Sequence, residues 1–159
     1  MNIMDYNKKY DEDIKDLLIE LQEYIVSIDK DNYNIITDEY REIEFKKTLK
    51  EINDFEGKMF LAIENDKAIG LIVGLINNEE EITYEFRAPK RGRITELIVS
   101  NNCRSKGIGK QLMYAMETHF KSVGCRAILI EVFAYNEKAK DFYYRNNYLD
   151  RNAEVMKKI

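Results

Sequence analysis

The stretch from Ile94 to Gly124, ITELIVSNNCRSKGIGKQLMYAMETHFKSVG, constrains the fold most, because strand, turn and helix signals follow one another in it without a break. Ile94 to Val99 reads as a short strand. Gly107 to Val123 sets Ile108, Leu112, Ala115, Met116, Phe120 and Val123 at helical spacing, and Gly124 is a natural stop. Ala127 to Phe133 then reads as a buried strand and Asn136 to Asn146 as a helix capped by Asn136. Strand, helix, strand, helix in this order predicts parallel crossover pairing and a mixed α/β (α+β) class.

The first half supplies the remaining layers. Met1 to Tyr6 reads as a short first strand, and Tyr10 to Asp29 carries Ile14, Leu17, Leu18, Leu21, Ile25 and Ile28 on one helical face. Asp31 to Asp38 is a loop signal, and Tyr40 to Asn53 resumes helical spacing. The apolar runs MFLAIEN and AIGLIVGLI, parted by Asn65, Asp66 and Lys67, predict a hairpin. Glu79 to Glu81 reads as a solvated loop, Ile82 to Phe86 as a short strand, and Arg87 to Arg93 as a basic turn around Pro89. Tyr148 to Ile159 is expected to hold about one or two final strands. No linker or repeat divides the chain. The expectation is one domain over residues 1–159, a central twisted mixed sheet of about six to seven strands flanked by about four helices.

At 159 residues such a domain buries roughly two thirds of its unfolded surface. A net charge of -4 argues against nucleic acid as partner and tilts toward a cationic substrate. Cys103 and Cys125 are too few for a disulfide framework, and the N-terminal MNIMDYNKKYDED lacks the apolar core of a signal peptide. A cytoplasmic location is therefore expected. No apolar run approaches the ~20 residues of a membrane helix, so no membrane association is expected.

Spacing separates the phosphate-binding readings of RSKGIGKQL. A P-loop needs glycine where Arg104 stands and Ser or Thr where Gln111 stands. A dinucleotide fingerprint needs a third glycine at Leu112. What remains is Arg104-x-x-Gly107-x-Gly109 after a strand and opening a helix. Glycines let successive N–H groups and the positive helix end approach an anion, and Arg104, Lys106 and Lys110 add charge. The same turn can also be a glycine-softened connection with solvated basic residues.

Residues 94 to 110 resemble the acetyl-coenzyme A signature of the GNAT superfamily of N-acetyltransferases: Leu97-Ile98-Val99, then Arg104, Gly107 and Gly109. Asn136-x-x-Ala139-x-x-Phe142-Tyr143 resembles that family's last conserved block, on the helix after the next strand. The close resemblance covers about residues 94 to 148. The family often has Pro at Asn101, Gly at Ser105 and Gly-Phe at Asn147 and Tyr148. Asn tolerates a left-handed backbone and Tyr keeps aromatic bulk, whereas Ser105 adds a Cβ near the expected pyrophosphate path.

The resemblance implies a GNAT-like fold, with acceptor-side helices at about 10–54 and a cofactor-binding core at about 58–148. It implies acetyl-coenzyme A as co-substrate without a metal, and an acetyl group passed to a primary amine by direct attack in a ternary complex. The cofactor would be held by Leu97, Ile98, Val99, Arg104, Ser105, Lys106, Gly107, Ile108, Gly109, Lys110, Asn136, Ala139 and Tyr143. Backbone N–H groups near Ile98 and Val99 would bind the pantetheine arm and the developing oxyanion, a donor of which is worth ~3 kcal/mol. Tyr143 matches the acid that protonates the departing thiolate. Glu96, opposite Leu97 on its strand, is either the base for the substrate ammonium or a plain ion-pair carboxylate. His119 reads as structural, and Cys103 has no base partner that would make it a nucleophile. Tyr33, Tyr40, Tyr84 and Glu79 to Glu81 are candidates for an acceptor pocket. The acceptor is a small-molecule or peptide amine, a homodimer is common in the superfamily, and a non-catalytic acyl-coenzyme A sensor is the rival reading.

Overall fold

A strand whose residues 68 to 76 are all buried, Lys67–Asn77, forms the middle of the molecule and explains why its sequence is apolar without alternation. Both of its faces are covered by helices. The computed structural model describes residues 1–77 and 81–158. In chain order the elements are β1 (Asn2–Asp5), α1 (Asp11–Ile28), α2 (Tyr40–Asp54), β2 (Lys58–Glu64), β3 (Lys67–Asn77), β4 (Glu81–Ile82), β5 (Arg87–Ala88), β6 (Arg91–Val99), α3 (Ile108–Ser122), β7 (Ala127–Ile130) and α4 (Glu137–Arg145).

The main sheet runs β1-β2-β3-β6-β7, antiparallel until the parallel β6–β7 pair, and β4 and β5 form a separate two-stranded ribbon. The mixed sheet and the parallel crossover through α3 follow the sequence reading. α1 and α2 close one face around Ile14, Leu18, Phe45, Leu61, Leu71 and Val73. α3 closes the other around Ile72, Ile94, Leu112, Met116 and Phe120. A Cβ on Gly92 would stand 2.5 Å from Phe120 Cδ2, so this glycine is what lets the ring lie against the sheet.

Five local expectations are corrected. Residues 83 to 86 are not a strand but the turn joining β4 to β5, closed by the Thr83 N–H donating to the Phe86 carbonyl at 2.7 Å. β7 ends at Ile130 rather than at Phe133, and its residues are half-buried because no further strand covers its outer edge among the described residues. Residues 148 to 158 hold no strand: Leu149 and Val155, 88% and 92% exposed, find no apolar surface to lie on. Glu79 and Glu80 lie outside the described residues, while Glu81 opens β4. β6 begins at Arg91, ahead of the expected Ile94, and with β5 at Arg87–Ala88 it leaves only Pro89 and Lys90 of the basic turn expected over Arg87 to Arg93.

Candidate active site

β6 carries a bulge that decides which side of the sheet each of its residues serves. Val73 pairs with Glu96 and Gly74 with Ile94, which leaves Thr95 as the extra residue. Strict alternation would put Ile94 and Ile98 on one face; instead Ile94 packs in the α3 cluster and Ile98 in the α1 cluster. Leu97 and Val99 therefore lean on the α3 side, and Glu96 is turned toward α2.

Glu96 is 8% exposed and accepts a hydrogen bond from the Thr95 hydroxyl. Burial pushes its carboxyl up to about 7; Glu44 and Glu51 on α2 add to the rise, while the Thr95 hydrogen bond and Lys47 oppose it. Tyr40, at the start of α2, is raised to about 12 by burial and then by Glu44 and Glu96. A carboxyl titrating near neutrality on a rigid strand is suited to exchanging protons at physiological pH.

At the same point β6 loses its parallel neighbour. Pairing with β7 stops at Ile94 and Ile130, while β6 continues to Val99 still paired to β3. The backbone groups of the last residues of β6 that face β7 have no strand partner there. Beyond Val99 the chain passes through Asn101–Cys103, a short 3-10 turn, into α3. Ser105 (φ 64°) and Gly107 (φ 76°) take left-handed backbone, and Gly107 caps α3 without a side-chain hydrogen bond. The first N–H groups of α3 thus stay available to an anion. A Cβ on Gly107 would meet nothing within 4 Å, so the approach is open. Lys106 and Lys110 are exposed, whereas the Ile108 side chain is core, 3% exposed, leaving only its backbone to the turn. Arg104 is partly committed: its Nε donates to the Val99 carbonyl at 2.9 Å and it stands 3.6 Å from Glu20 on α1.

On α4, Asn136 accepts from the Ala139 N–H at 3.1 Å, the cap expected of it. Tyr143 packs between Phe142 and Tyr148 at ring-centre distances of 5.5 and 5.8 Å. Burial pushes its phenol up to about 12, so it is protonated throughout the physiological range. Phe142 also lies 3.5 Å from where a Cβ on Gly109 would be, which ties α4 to the start of α3.

Sequence reasoning missed the residues of α1 that close this mouth. The Tyr24 hydroxyl lies 3.4 Å from Asn136 Oδ1, and the Arg104 guanidinium stands 5.7 Å from the centre of its ring. Glu20 accepts from the Asn101 N–H at 2.6 Å. The available signal was an aromatic at the margin of the α1 apolar stripe, with a carboxylate one turn before it. Of the other candidates, Tyr33 and Tyr84 are exposed, and His119 faces Phe60 edge-on with its Nε2 buried and unpartnered among the described residues. Among the described residues no cluster could hold a metal ion, and no helix is long and apolar enough to cross a membrane.

A strand that outruns its parallel neighbour and leads through a glycine turn into a helix, on a mixed sheet with helices on both faces, can hold a phosphorylated cofactor. The chain belongs to the acetyltransferase (GNAT) family, whose model matches residues 23–148. It is 39% identical over 61 residues to an uncharacterised N-acetyltransferase of Methanocaldococcus jannaschii, a match covering 38% of this chain and 39% of that protein. It is 23% identical to the glucosamine 6-phosphate N-acetyltransferase of Arabidopsis thaliana over 77% of each chain. Among solved structures, the fold is similar to that of the BH1408 protein of Bacillus halodurans (TM-score 0.82, 17% identity, 100% and 99% of the two chains). It is also similar to AAC(6')-Iy in complex with a bisubstrate analogue, CoA-S-monomethyl-acetylneamine (TM-score 0.72, 16% identity, 99% and 97%).

Proposed function

We propose that the protein transfers an acetyl group from acetyl-coenzyme A to a primary amine by direct attack in a ternary complex. One observation carries this reading: the end of β6 turns a buried carboxyl to one face, frees its backbone from β7, and leads straight into the glycine turn. Acetyl-coenzyme A supplies an activated acyl thioester. Its pyrophosphate would be held by the backbone from Ser105 to Lys110 with Arg104 and Lys106 beside it, and its pantetheine arm by Leu97, Ile98, Val99, Asn136 and Ala139. The open backbone at Gly107 and the uncapped start of α3 support this fit.

Glu96 acts as base, taking a proton from the acceptor ammonium directly or through water. The Ser100 N–H donates to the Ile69 carbonyl, which turns the Val99 N–H to the edge away from β3, and that N–H holds the charge that develops on the carbonyl oxygen. Tyr143 faces a sharper requirement. A phenol near 12 gives its proton to a thiolate, whose thiol titrates near ~8.5, against roughly 5 kcal/mol. Its contribution is therefore a hydrogen bond donated to the departing sulfur, while the proton that ends on the thiol is the one the attacking nitrogen sheds as the tetrahedral intermediate collapses, passed directly or through water. Residues 10–54 form the acceptor side and 58–148 the cofactor core of one domain over 1–159. The names of AAC(6')-Iy, an aminoglycoside N-acetyltransferase, and of the glucosamine 6-phosphate N-acetyltransferase support a small amine as acceptor.

The test is thiol release from acetyl-coenzyme A across a panel of amines, paired with calorimetric titration of the cofactor. Turnover on an amine supports the transferase. Binding with no turnover on any amine favours an acyl-coenzyme A sensor, and absence of binding overturns both.

A further inference from the structure

The C-terminal residues run as an exposed strap held at both ends by a cation against a ring. At one end the Arg151 guanidinium lies 5.8 Å from the centre of the Phe86 ring, ahead of β6 in the chain. At the other the Lys158 ammonium stands 2.8 Å from Asp31 Oδ1 and 5.5 Å from the centre of the Tyr33 ring. Tyr135, in the loop between β7 and α4, donates its hydroxyl to the second oxygen of Asp31 at 3.1 Å. Asp31, Tyr33 and Tyr135 thus make a socket that already seats an ammonium group, with a carboxylate for its charge and an aromatic face beside it.

The socket does not depend on the strap. Asp29, 6% exposed, accepts from the backbone N–H groups of Asp31, Tyr33 and Asn34 and from the Asn34 side-chain amide. Those bonds shape the loop from within and leave the Asp31 and Tyr33 side chains to meet Tyr135 and Lys158. The Lys158 side chain is 56% exposed, and an ion pair of that kind is worth only ~0–1 kcal/mol, so it leaves the socket readily. With Lys158 withdrawn, the Asp31 carboxylate loses the ammonium it pairs with, and a second cation can take that place. Tyr135 directly precedes Asn136, the cap of α4 at the mouth described above.

We infer that Asp31, Tyr33 and Tyr135 bind the second ammonium group of the acceptor, selecting diamines and polyamines, and that Lys158 is a built-in competitor for that seat. This deepens the transferase reading and rests on it for the identity of the ligand as acceptor. The full chain is titrated calorimetrically with 1,4-diaminobutane and with n-butylamine, in wild type and in Lys158→Ala and Asp31→Asn. Wild type should prefer the diamine, Lys158→Ala should bind it about two- to fivefold tighter, and Asp31→Asn should erase the preference. Tyr33→Leu, which removes only the ring face, should weaken the diamine about two- to fivefold and guards against a loop disturbed by Asp31→Asn. Equal affinity for the two amines in both wild type and Lys158→Ala, or a preference that survives Asp31→Asn, overturns the proposal. Diamine preference without thiol release overturns the transferase while supporting the socket; thiol release without diamine preference does the reverse.

Discussion

The two faces of the sheet are made of different materials. Under α3 the buried residues are all apolar, packed closely enough that Gly92 has no room for a methyl group against Phe120. Two of the three buried polar residues among those described, Thr48 and Glu96, lie on the side of α1 and α2, and the third, Asp29, ends α1. Asp29 and Glu96 are carboxylates of similar exposure, one in a loop and one within the sheet, with opposite chemistry. Asp29 is held down to about 2, first by the Asn34 backbone N–H and then by further N–H groups that outweigh its burial. Glu96, with the Thr95 hydroxyl as its hydrogen-bond donor, is pushed up to about 7 by burial. Low exposure alone therefore does not define a functional carboxyl; how deeply it is desolvated and how many donors surround it decide together. Asp29 folds a loop, and Glu96 is left ready to exchange a proton.

Replacing Glu96 by Gln should break this contrast with the largest effect. As base, Glu96 is worth roughly 10²- to 10⁴-fold, so kcat/KM at pH 8 should fall by about 10²-fold or more. The wild-type rate should rise with pH through an acid limb near 7 that the variant lacks. Stability should move the other way. The folded pKa of Glu96 lies above its ordinary 4.5, so the native state keeps a proton that the unfolded chain releases. The favourable contribution is full below about 4.5 and is lost as pH rises to about 7, a change of roughly 3 kcal/mol at most. Glu96→Gln should therefore raise the melting temperature at pH 8 by several degrees and hardly alter it at pH 5. A variant no more stable than wild type at pH 8 would mean that the ionised carboxylate is stabilised where it lies.

Tyr143→Phe comes next. No protein hydrogen bond to its hydroxyl is found among the described residues, so the fold should not notice its loss. Turnover should fall about 10- to 100-fold with acetyl-coenzyme A affinity nearly unchanged, because the donor acts only as sulfur departs. Full activity in the variant would remove Tyr143 from the mechanism. Under α3, Gly92→Ala should cost about 1–3 kcal/mol of stability by overpacking against Phe120, read as a lower denaturation midpoint at unchanged slope. A neutral effect would show that the α3 side yields more easily than its packing indicates.

How much of this was legible follows from which signals are local. The hairpin turn was readable because Asn65 and Asp66 both take left-handed backbone (φ 51° and 60°), a conformation those residue types accept. α3 was readable from its apolar stripe and from glycines at both ends, Gly107 and Gly124, both at positive φ. The bulge at Thr95 was not, since an extra residue is a property of the pairing between β3 and β6 and leaves no trace in the periodicity of β6 alone. Glu96 was thus placed correctly opposite Leu97 without any indication of which helices it would meet. The C-terminal strands failed for a related reason: Leu149, Val155 and Met156 have strand-like composition, but a strand needs an apolar face to lie on and these side chains have none. Tyr24 and Glu20 became visible only when α1 was laid beside α4 and the glycine turn.

The smallest predicted effect tests the turn itself. Ser105 holds φ 64° although it has a Cβ, at a position where the resembling signature often carries glycine. A left-handed residue of this kind costs roughly 1–2 kcal/mol, while glycine adds about 0.4–1 kcal/mol of unfolded-state entropy to be lost. The two terms nearly offset, so Ser105→Gly should stabilise the protein by only about 0.5 kcal/mol, a melting shift of about 1–2 °C. Its effect on the cofactor separates two accounts of the turn. If backbone N–H groups hold the pyrophosphate, removing the Cβ should leave acetyl-coenzyme A affinity equal or slightly higher. A loss of affinity of tenfold or more would instead assign the contact to the serine hydroxyl, and the turn would then bind through a side chain where the family signature relies on bare backbone.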